Sequence, residues 1–242
     1  MADVTLVQSG SNNGTTTPAT PGSLTLTANN LAVLIIAARG TSPTLTTPTN
    51  WTQVQKTSGA SVTFALYALL PPNNTGGATN PSSTIGGTVT GWIASMFELN
   101  TGLTANEGLV SSAQSAQSTA ALTNVFPGAS LSGQNLLFFY SVARLTATLT
   151  SPVSGLNWSA SVQSQAGVQG LSTDSFWASS FAQGGGPFFS FPVGAGTLGS
   201  AVASVQIGAW FNANPTGTVT SDIIGGFAGV YVPQFYQGMI GG

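Results

Sequence analysis

The stretch NNLAVLIIAARG, Asn29 to Gly40, decides the fold. Its segment from Leu31 to Ala38 is the longest purely apolar run of the chain and does not alternate between apolar and polar residues. A short run rich in Val and Ile, bounded by Asn and Gly, is typical of a β-strand. Without alternation, it predicts a central strand that is covered on both faces.

Other apolar runs have the same character and are also predicted to be strands. In VTFALYAL, residues 62–69, the even-numbered and odd-numbered positions are predicted to occupy opposite faces. No segment has a 3.6-residue apolar stripe with charged residues opposite, and the polar stretch from Glu107 is predicted to be an extended connector. The candidate strands are Val4–Val7, Leu24–Thr27, Leu31–Ala38, Trp51–Gln55, Val62–Leu70, Thr88–Leu99, Leu136–Ala143, Trp158–Gln163, Ser175–Phe181 and Ala201–Phe211.

The central run has a counterpart later in the chain. NNLAVLIIAAR aligns with QNLLFFYSVAR at an offset of 105 residues. An offset that grows only by small insertions predicts an internal duplication. Two later matches, at offsets of 107 and 114, are Asn50-Trp51 with Asn157-Trp158, and Ile93 and Phe97 with Ile207 and Phe211.

Two of the three basic residues, Arg39 and Arg144, fall on matched positions of this repeat. A residue that occurs once in each repeat is predicted to have an architectural role, here fixing a strand end by donating to loop carbonyls or to a carboxylate. Glu98 is the candidate partner of Arg39. Its matched position holds Asn212, which leaves Arg144 with Asp174 or with carbonyl groups alone. Arg39, Arg144 and Glu98 are therefore predicted to be structural residues at strand ends.

These patterns predict an all-β fold, a single large β-sandwich that is jelly-roll-like and made of two pseudo-repeated halves. The body is predicted at 23–212, with halves at about 23–100 and 128–212. Each sheet needs a partner layer, so the halves are expected to cover one another about a pseudo-two-fold axis. The connector 101–127 fits either a flexible linker or an extended edge strand. Residues 1–22 are predicted to be an N-terminal arm with the first strand, and 213–242 an apolar C-terminal arm.

Composition points to association. The 242 residues include three basic and five acidic residues, 3% charged in all, against about 25% in an average domain. A net charge of −2 gives little self-repulsion, and charge near zero favours association. Contacts between such surfaces are expected to respond weakly to salt, because there is little charge to screen.

The same composition excludes most catalytic chemistry. The chain has no His and no Cys, so Ser-His-Asp, Cys-His and His- or thiolate-based metal sites are ruled out. Two carboxylates at glycosidase spacing are not indicated, and no calcium loop or phosphate loop occurs. The sequence therefore predicts that the protein is not an enzyme and needs no cofactor or metal.

The five tryptophans allow two interpretations, core anchors or a sugar-stacking platform. Trp51 and Trp158 fall on matched positions within candidate strands, which predicts core anchors. FWASSF and GGGPFFSFP, between Phe176 and Pro192, are the candidate exposed aromatic loop.

From about residue 20 to residue 213, the pattern resembles β-sandwich virion proteins of tailed bacteriophages and related prophage-encoded minor structural proteins. The resemblance depends on NLAVLIIAA, NWTQV, FALYAL and SMFELNTG, followed by a second set, NLLFFYSVA, NWSASVQ and IGAWF. It implies a structural virion protein, either a capsid decoration or cement protein or a minor capsid protein. The alternative is a minor tail or surface module that binds host glycans. The chain departs from the pattern by its low charge and by the tail after Phe211.

The implied partners are copies of the chain itself and other virion proteins, such as the major capsid or tail protein, and a glycan ligand stays open. Three basic residues cannot neutralise a nucleic-acid backbone. No run approaches the ~18 apolar residues of a membrane span, and the N-terminus lacks the pattern of a secretory signal. The expected location is the virion, after synthesis in the host cytoplasm. In the C-terminal arm, which would dock on a neighbour or pack as a last strand, the candidate assembly contacts are Ile223, Ile224, Phe227, Tyr231, Phe235 and Tyr236.

Overall fold

A computed structural model describes residues 5–58, 62–70, 73–100, 108–117, 123–126, 136–145, 164–166, 171–179, 189–192 and 204–212. In these ranges every regular element is a β-strand and none is a helix, which confirms the all-β prediction. The strands are β1 (Thr5–Gly14), β2 (Leu24–Leu26), β3 (Leu31–Leu45), β4 (Thr52–Ser58), β5 (Val62–Leu69), β6 (Gly77–Thr79), β7 (Ile85–Asn100), β8 (Gly108–Gln117), β9 (Thr123–Phe126), β10 (Leu136–Leu145), β11 (Ser164–Ala166), β12 (Leu171–Ser179), β13 (Phe189–Pro192) and β14 (Ser204–Asn212).

The first sheet has five antiparallel strands in the order β1-β7-β3-β5-β4. The central strand is β3, and every side chain from Leu31 to Ala38 is buried. The prediction of a central strand covered on both faces is therefore confirmed. An apolar run of this kind suits the position because neither of its faces meets water.

The faces of β5 explain how both sides of this sheet are covered. Val62, Phe64 and Leu66 contribute to one apolar cluster, and Ala65 and Tyr67 contribute to another on the opposite face. This is the alternation predicted for VTFALYAL, with both faces buried.

The second sheet is also antiparallel and five-stranded, in the order β11-β12-β10-β14-β8. Its edge strand β8 falls within the predicted connector, so the edge-strand alternative is correct for residues 108–117. The described apolar side chains of this sheet are all odd-numbered, and they pack with the first sheet in a single cluster, the shared core. The shared core consists of Leu31, Val33, Ile35, Ala37, Val54, Val62, Phe64, Leu66, Ala68, Ile93, Phe97, Leu99, Phe139, Ala143, Leu171, Trp177, Ile207, Ala209 and Phe211.

Aromatic rings join the two sheets inside the shared core. Phe97 of β7 is fully buried, and its ring centroid lies 5.4 Å from that of Phe139 on β10 and 6.4 Å from that of Trp177 on β12. The rings are tilted at 55° and 53°, within the range of favourable aromatic pairs.

The opposite face of the first sheet is covered by chain from its own half. We call this cluster the outer core; it contains Ala19, Leu26, Ala32, Leu34, Ile36, Ala38, Leu45, Trp51, Ala65, Tyr67, Leu69, Ile85, Trp92, Ala94 and Met96. The short β2–β6 ribbon supplies Leu26. Hydrogen bonds between Ala19 and Ser83 join two of the covering segments.

Strand order follows the same rule in both sheets. If seven is added to each strand number, the first order becomes β8-β14-β10-β12-β11, which is the order of the second sheet read from its other edge. By the same rule, the β2–β6 ribbon corresponds to the β9–β13 ribbon. The corresponding edge strands β1 and β8 each have a register shift at the Val of a Leu-Val pair. In β1 it falls between Leu6 and Gln8, and in β8 between Leu109 and Ser111.

Several predicted boundaries are wrong. β1 continues to Gly14 and β3 continues to Leu45, while β7 begins at Ile85. β6, β8, β9, β11 and β13 are not among the predicted strands. The candidate aromatic loop also divides, because its first residues lie in β12 and its last in β13. Residues 180–188, 213–242 and the candidate strand Trp158–Gln163 lie outside the described residues.

Candidate functional site

Glu98 is the one charged side chain that is fully buried among the described side chains. It lies on β7, opposite Ala32 of β3 and Gln8 of β1. Its carboxylate accepts hydrogen bonds from Gln8 Nε2, from Asn30 Nδ2 at 2.6 Å and from the Thr27 backbone N–H at 2.8 Å. The side chain therefore joins the edge strand β1 and the turn before β3 to the C-terminal end of β7.

A buried asparagine completes this cluster from the other side. Asn74 Nδ2 donates to the carbonyls of Thr27 (3.0 Å) and Asn30 (2.8 Å), and its Oδ1 accepts from the Gly76 N–H at 3.0 Å. The turn it holds contains Asn29 at φ 65°, a left-handed conformation that Asn tolerates better than most residues. Two loops separated by more than forty residues are thus fixed to one another by side-chain amides.

Burial raises the pKa of Glu98, but the hydrogen bonds from Gln8, Asn30 and Thr27 outweigh it, and the pKa lies below the ordinary value. These hydrogen-bond partners are all neutral donors, which favour the ionised form. Such a carboxylate is held as an acceptor and is poorly placed to exchange protons near neutral pH. The arrangement is therefore structural, and we call Glu98, Gln8, Thr27, Asn30 and Asn74 the Glu98 cluster.

The expected pairing of Arg39 with Glu98 is wrong. Arg39 lies opposite Gly91, whereas Glu98 lies opposite Ala32, seven positions along the same strand pair. At about 3.3 Å per residue this separation is roughly 23 Å. Arg39 also does not end its strand, because β3 continues to Leu45 after a register shift between Arg39 and Gly40.

Arg39 and Arg144 do not occupy equivalent positions in their two sheets. Core-facing positions are odd-numbered in both central strands, as in Val33 and Phe139, whereas an offset of 105 pairs odd with even positions. When ladder positions are counted from the register shifts of β1 and β8 towards the central strands, Leu31 of β3 occupies the position that Leu137 occupies in β10. By the same count, the position of Arg39 corresponds to that of Leu145. Arg144 lies one residue before the end of β10, opposite Ser172.

Trp51 is buried in the outer core, as predicted for a core anchor. Trp92 is buried in the same cluster, and its Nε1 donates to the Thr16 carbonyl. Trp177 is buried in the shared core. Trp158 lies outside the described residues.

The predicted assembly contacts Ile223, Ile224, Phe227, Tyr231, Phe235 and Tyr236 all lie outside the described residues. Sequence reasoning missed a different candidate surface, the two long edge strands β1 and β8, each ten residues long. Neither strand contains a charged residue or a proline. The absence of charge in TLVQSGSNNG was visible in the sequence, but its position at a sheet edge was not.

Within the described ranges, no group of three or more His, Cys, Asp or Glu residues comes together in a way that could hold a metal ion. The same ranges contain no helix of the length and hydrophobicity needed to cross a membrane.

The sequence matches no protein-family model. Comparisons with curated proteins and with solved structures also found no match.

Proposed function

We propose that the chain is a structural virion protein of a bacteriophage, of the capsid decoration, cement or minor capsid type. It acts by contacts between subunits and with other virion proteins, without turnover of a substrate. Its body is a two-layer β-sandwich made of two duplicated halves.

The internal arrangement supports the sandwich and the duplication. The shared core contains side chains of both five-stranded sheets, and Phe97 contacts rings of two strands in the other sheet. Equal strand order, equal two-stranded ribbons and a register shift in matching Leu-Val pairs are the pattern expected of one unit that occurs twice. The proposal does not include jelly-roll connectivity, because each five-stranded sheet takes all of its strands from one half of the chain.

The observation that carries the proposed role is the shortage of charge on a folded β-sheet body. Three basic and five acidic residues occur in 242, and one of these, Glu98, is used inside the fold. Very little charge is left for the surface, where it would keep copies apart. Contacts between such surfaces consist of apolar and neutral polar groups, and salt screens them weakly.

The test is the sedimentation of the purified chain at 0.1 and 1 M NaCl, together with mass spectrometry of virions induced from the source genome. We expect an assembled or particle-bound state that survives the higher salt, and the chain among the virion proteins. A stable monomer that is absent from purified particles would refute the proposal.

Glycan binding is less well supported by the described side chains. Trp51, Trp92 and Trp177 are buried in the two cores, so they cannot stack on a sugar without unfolding. Glycan-array binding that disappears on replacement of Phe188 or Phe189 would revive that alternative.

A further inference from the structure

The two five-stranded sheets have four edge strands, and they differ in how they are covered. β4 and β8 pack against each other across the two sheets. β11 is three residues long. β1 is ten residues long and lies at the end of its sheet, and no described strand pairs with its outer edge. Leu6 of β1 packs against the shared core, but in the described part of the chain β1 is the one long edge strand without extensive packing against a strand of the other sheet, as β4 and β8 have.

An edge strand presents a row of backbone donors and acceptors whose natural partner is another strand. Proteins usually protect such an edge with charged residues, proline, a bulge or a short strand. The register shift at the Leu6–Gln8 step is the only such device in β1. From Gln8 to Gly14 the strand pairs with β7 in regular register and contains neither charge nor proline.

We propose that this edge pairs with the same edge of a second copy, β1 against β1 in antiparallel orientation about a two-fold axis. The first sheets of the two copies would then form one continuous ten-stranded sheet. The proposal deepens the proposed function, because it names the contact through which copies assemble.

A second copy is favoured over an unrelated partner by the chemistry of the strand. In a two-fold contact each residue meets its own kind near the axis, and like charges directly opposite one another destabilise a sheet. The segment QSGSNNG avoids that conflict, because its Gln, Ser and Asn side chains both donate and accept hydrogen bonds. Val7, at the shift, is 46% exposed, the one large hydrophobic residue so exposed among the described side chains. The nearest charge in sequence is Asp3, two residues before the strand begins.

The test places a lysine on this edge in the full-length chain. Asn12 is exposed on β1, and Gln53 is exposed on β4 and gives a matched control. Sedimentation velocity compares wild type, Asn12→Lys and Gln53→Lys across a hundredfold range of concentration, and circular dichroism checks that all three are folded. Hydrogen exchange measures protection of the amides of residues 8–14 over the same range.

We expect a wild-type dimer whose residues 8–14 become more protected as concentration rises. Asn12→Lys should weaken dimerisation at least about tenfold, because two copies of the new charge meet near the axis, and Gln53→Lys should not.

An oligomer that keeps its affinity in Asn12→Lys, or loses it only in Gln53→Lys, overturns the edge assignment and leaves the proposed function standing. A monomer that binds virions, with residues 8–14 protected equally at every concentration, would also overturn the edge assignment. The edge would then be covered by another segment of the chain or by another virion protein. A monomer that is absent from virions overturns both.

Discussion

Replacement of Phe97 by alanine tests whether the two sheets are held together through the shared core. Phe97 is fully buried on β7, and its ring contacts those of Phe139 and Trp177 in the other sheet. Removal of a buried Phe side chain costs about 3–5 kcal/mol, from lost transfer free energy and the cavity left behind. We expect a loss in that range in the free energy of unfolding, measured by urea denaturation followed by tryptophan fluorescence and circular dichroism.

A double-mutant cycle makes the prediction specific to the contact between the sheets. Aromatic pairs contribute about 0.5–1.5 kcal/mol beyond their buried area. Phe97→Ala and Phe139→Ala should therefore be non-additive by about 1 kcal/mol. The matched control is Met96→Ala with Phe139→Ala, because Met96 neighbours Phe97 in sequence but faces the outer core. This control pair should be additive within about 0.5 kcal/mol.

The result that would refute the reasoning is additivity of the Phe97 and Phe139 substitutions within error. The free energy of interaction would then be absent, and the two sheets would not be joined at these rings. Equal coupling for the Met96 pair would also count against it, since it would show a general softening of the fold in place of a specific contact. Both outcomes are readable in one set of denaturation curves.

Three further substitutions test the local geometry. The folded-state pKa of Glu98 is lowered, so the stability from its hydrogen bonds is fully present above the ordinary pKa of 4.5 and is lost as pH falls through the folded-state pKa. In thermal melts, the melting temperature of Glu98→Gln should therefore fall less below pH 4.5 than that of the wild type. An equal dependence of the two melting temperatures on pH would contradict this. Asn74→Ala removes three hydrogen bonds of a buried side chain and should destabilise by about 2–3 kcal/mol in urea, whereas the exposed Asn73→Ala should change stability by less than about 0.5 kcal/mol. Gly40→Ala would place a Cβ 1.7 Å from the Thr88 carbonyl oxygen, so β3 and β7 must separate. We expect a loss of more than about 2 kcal/mol in the free energy of unfolding. An unchanged melting temperature would show that the backbones of Gly40 and Thr88 do not approach so closely.

The central strands could be predicted from the sequence because their signal is local. Leu31–Ala38 and Val62–Leu69 are apolar, β-branched or aromatic, and bounded by turn residues, and they become the buried middle of the first sheet. The edge strand β8 was predicted only as one of two alternatives for the connector, for the opposite reason. GLVSSAQSAQ has few residues with strong β preference, and it becomes a strand because β14 supplies a ladder of backbone partners.

The Glu98 cluster could not be predicted, because its members are far apart in the sequence. Gln8, Thr27 and Asn30 approach Glu98 only when β1 and the turn before β3 reach β7. Polar residues of this kind are common throughout the chain, and no spacing in the sequence distinguishes the ones that meet in the Glu98 cluster. Opposite charge predicted an arginine as the partner of Glu98, whereas in the fold its carboxylate accepts hydrogen bonds from neutral donors.

The offset of 105 residues between the two central strands fails for a physical reason. A slip of one residue along a strand moves every side chain to the other face, so an offset of 105 would turn the core-facing side of β10 outward. The letters give no warning of this, because Leu31–Ala38 is apolar at every position and Leu136–Ala143 nearly so. The register shifts at Leu6-Val7 and Leu109-Val110 have no such ambiguity, because each shift occupies one position in its ladder. Aligned on them, the Arg39–Val62 pair corresponds to the Leu145–Leu171 pair, each at the start of its partner strand. The geometry of the ladder therefore relates the two sheets where the two arginines do not, and apolar strands of sheets with the same strand order should be aligned on their register shifts before their side chains are compared.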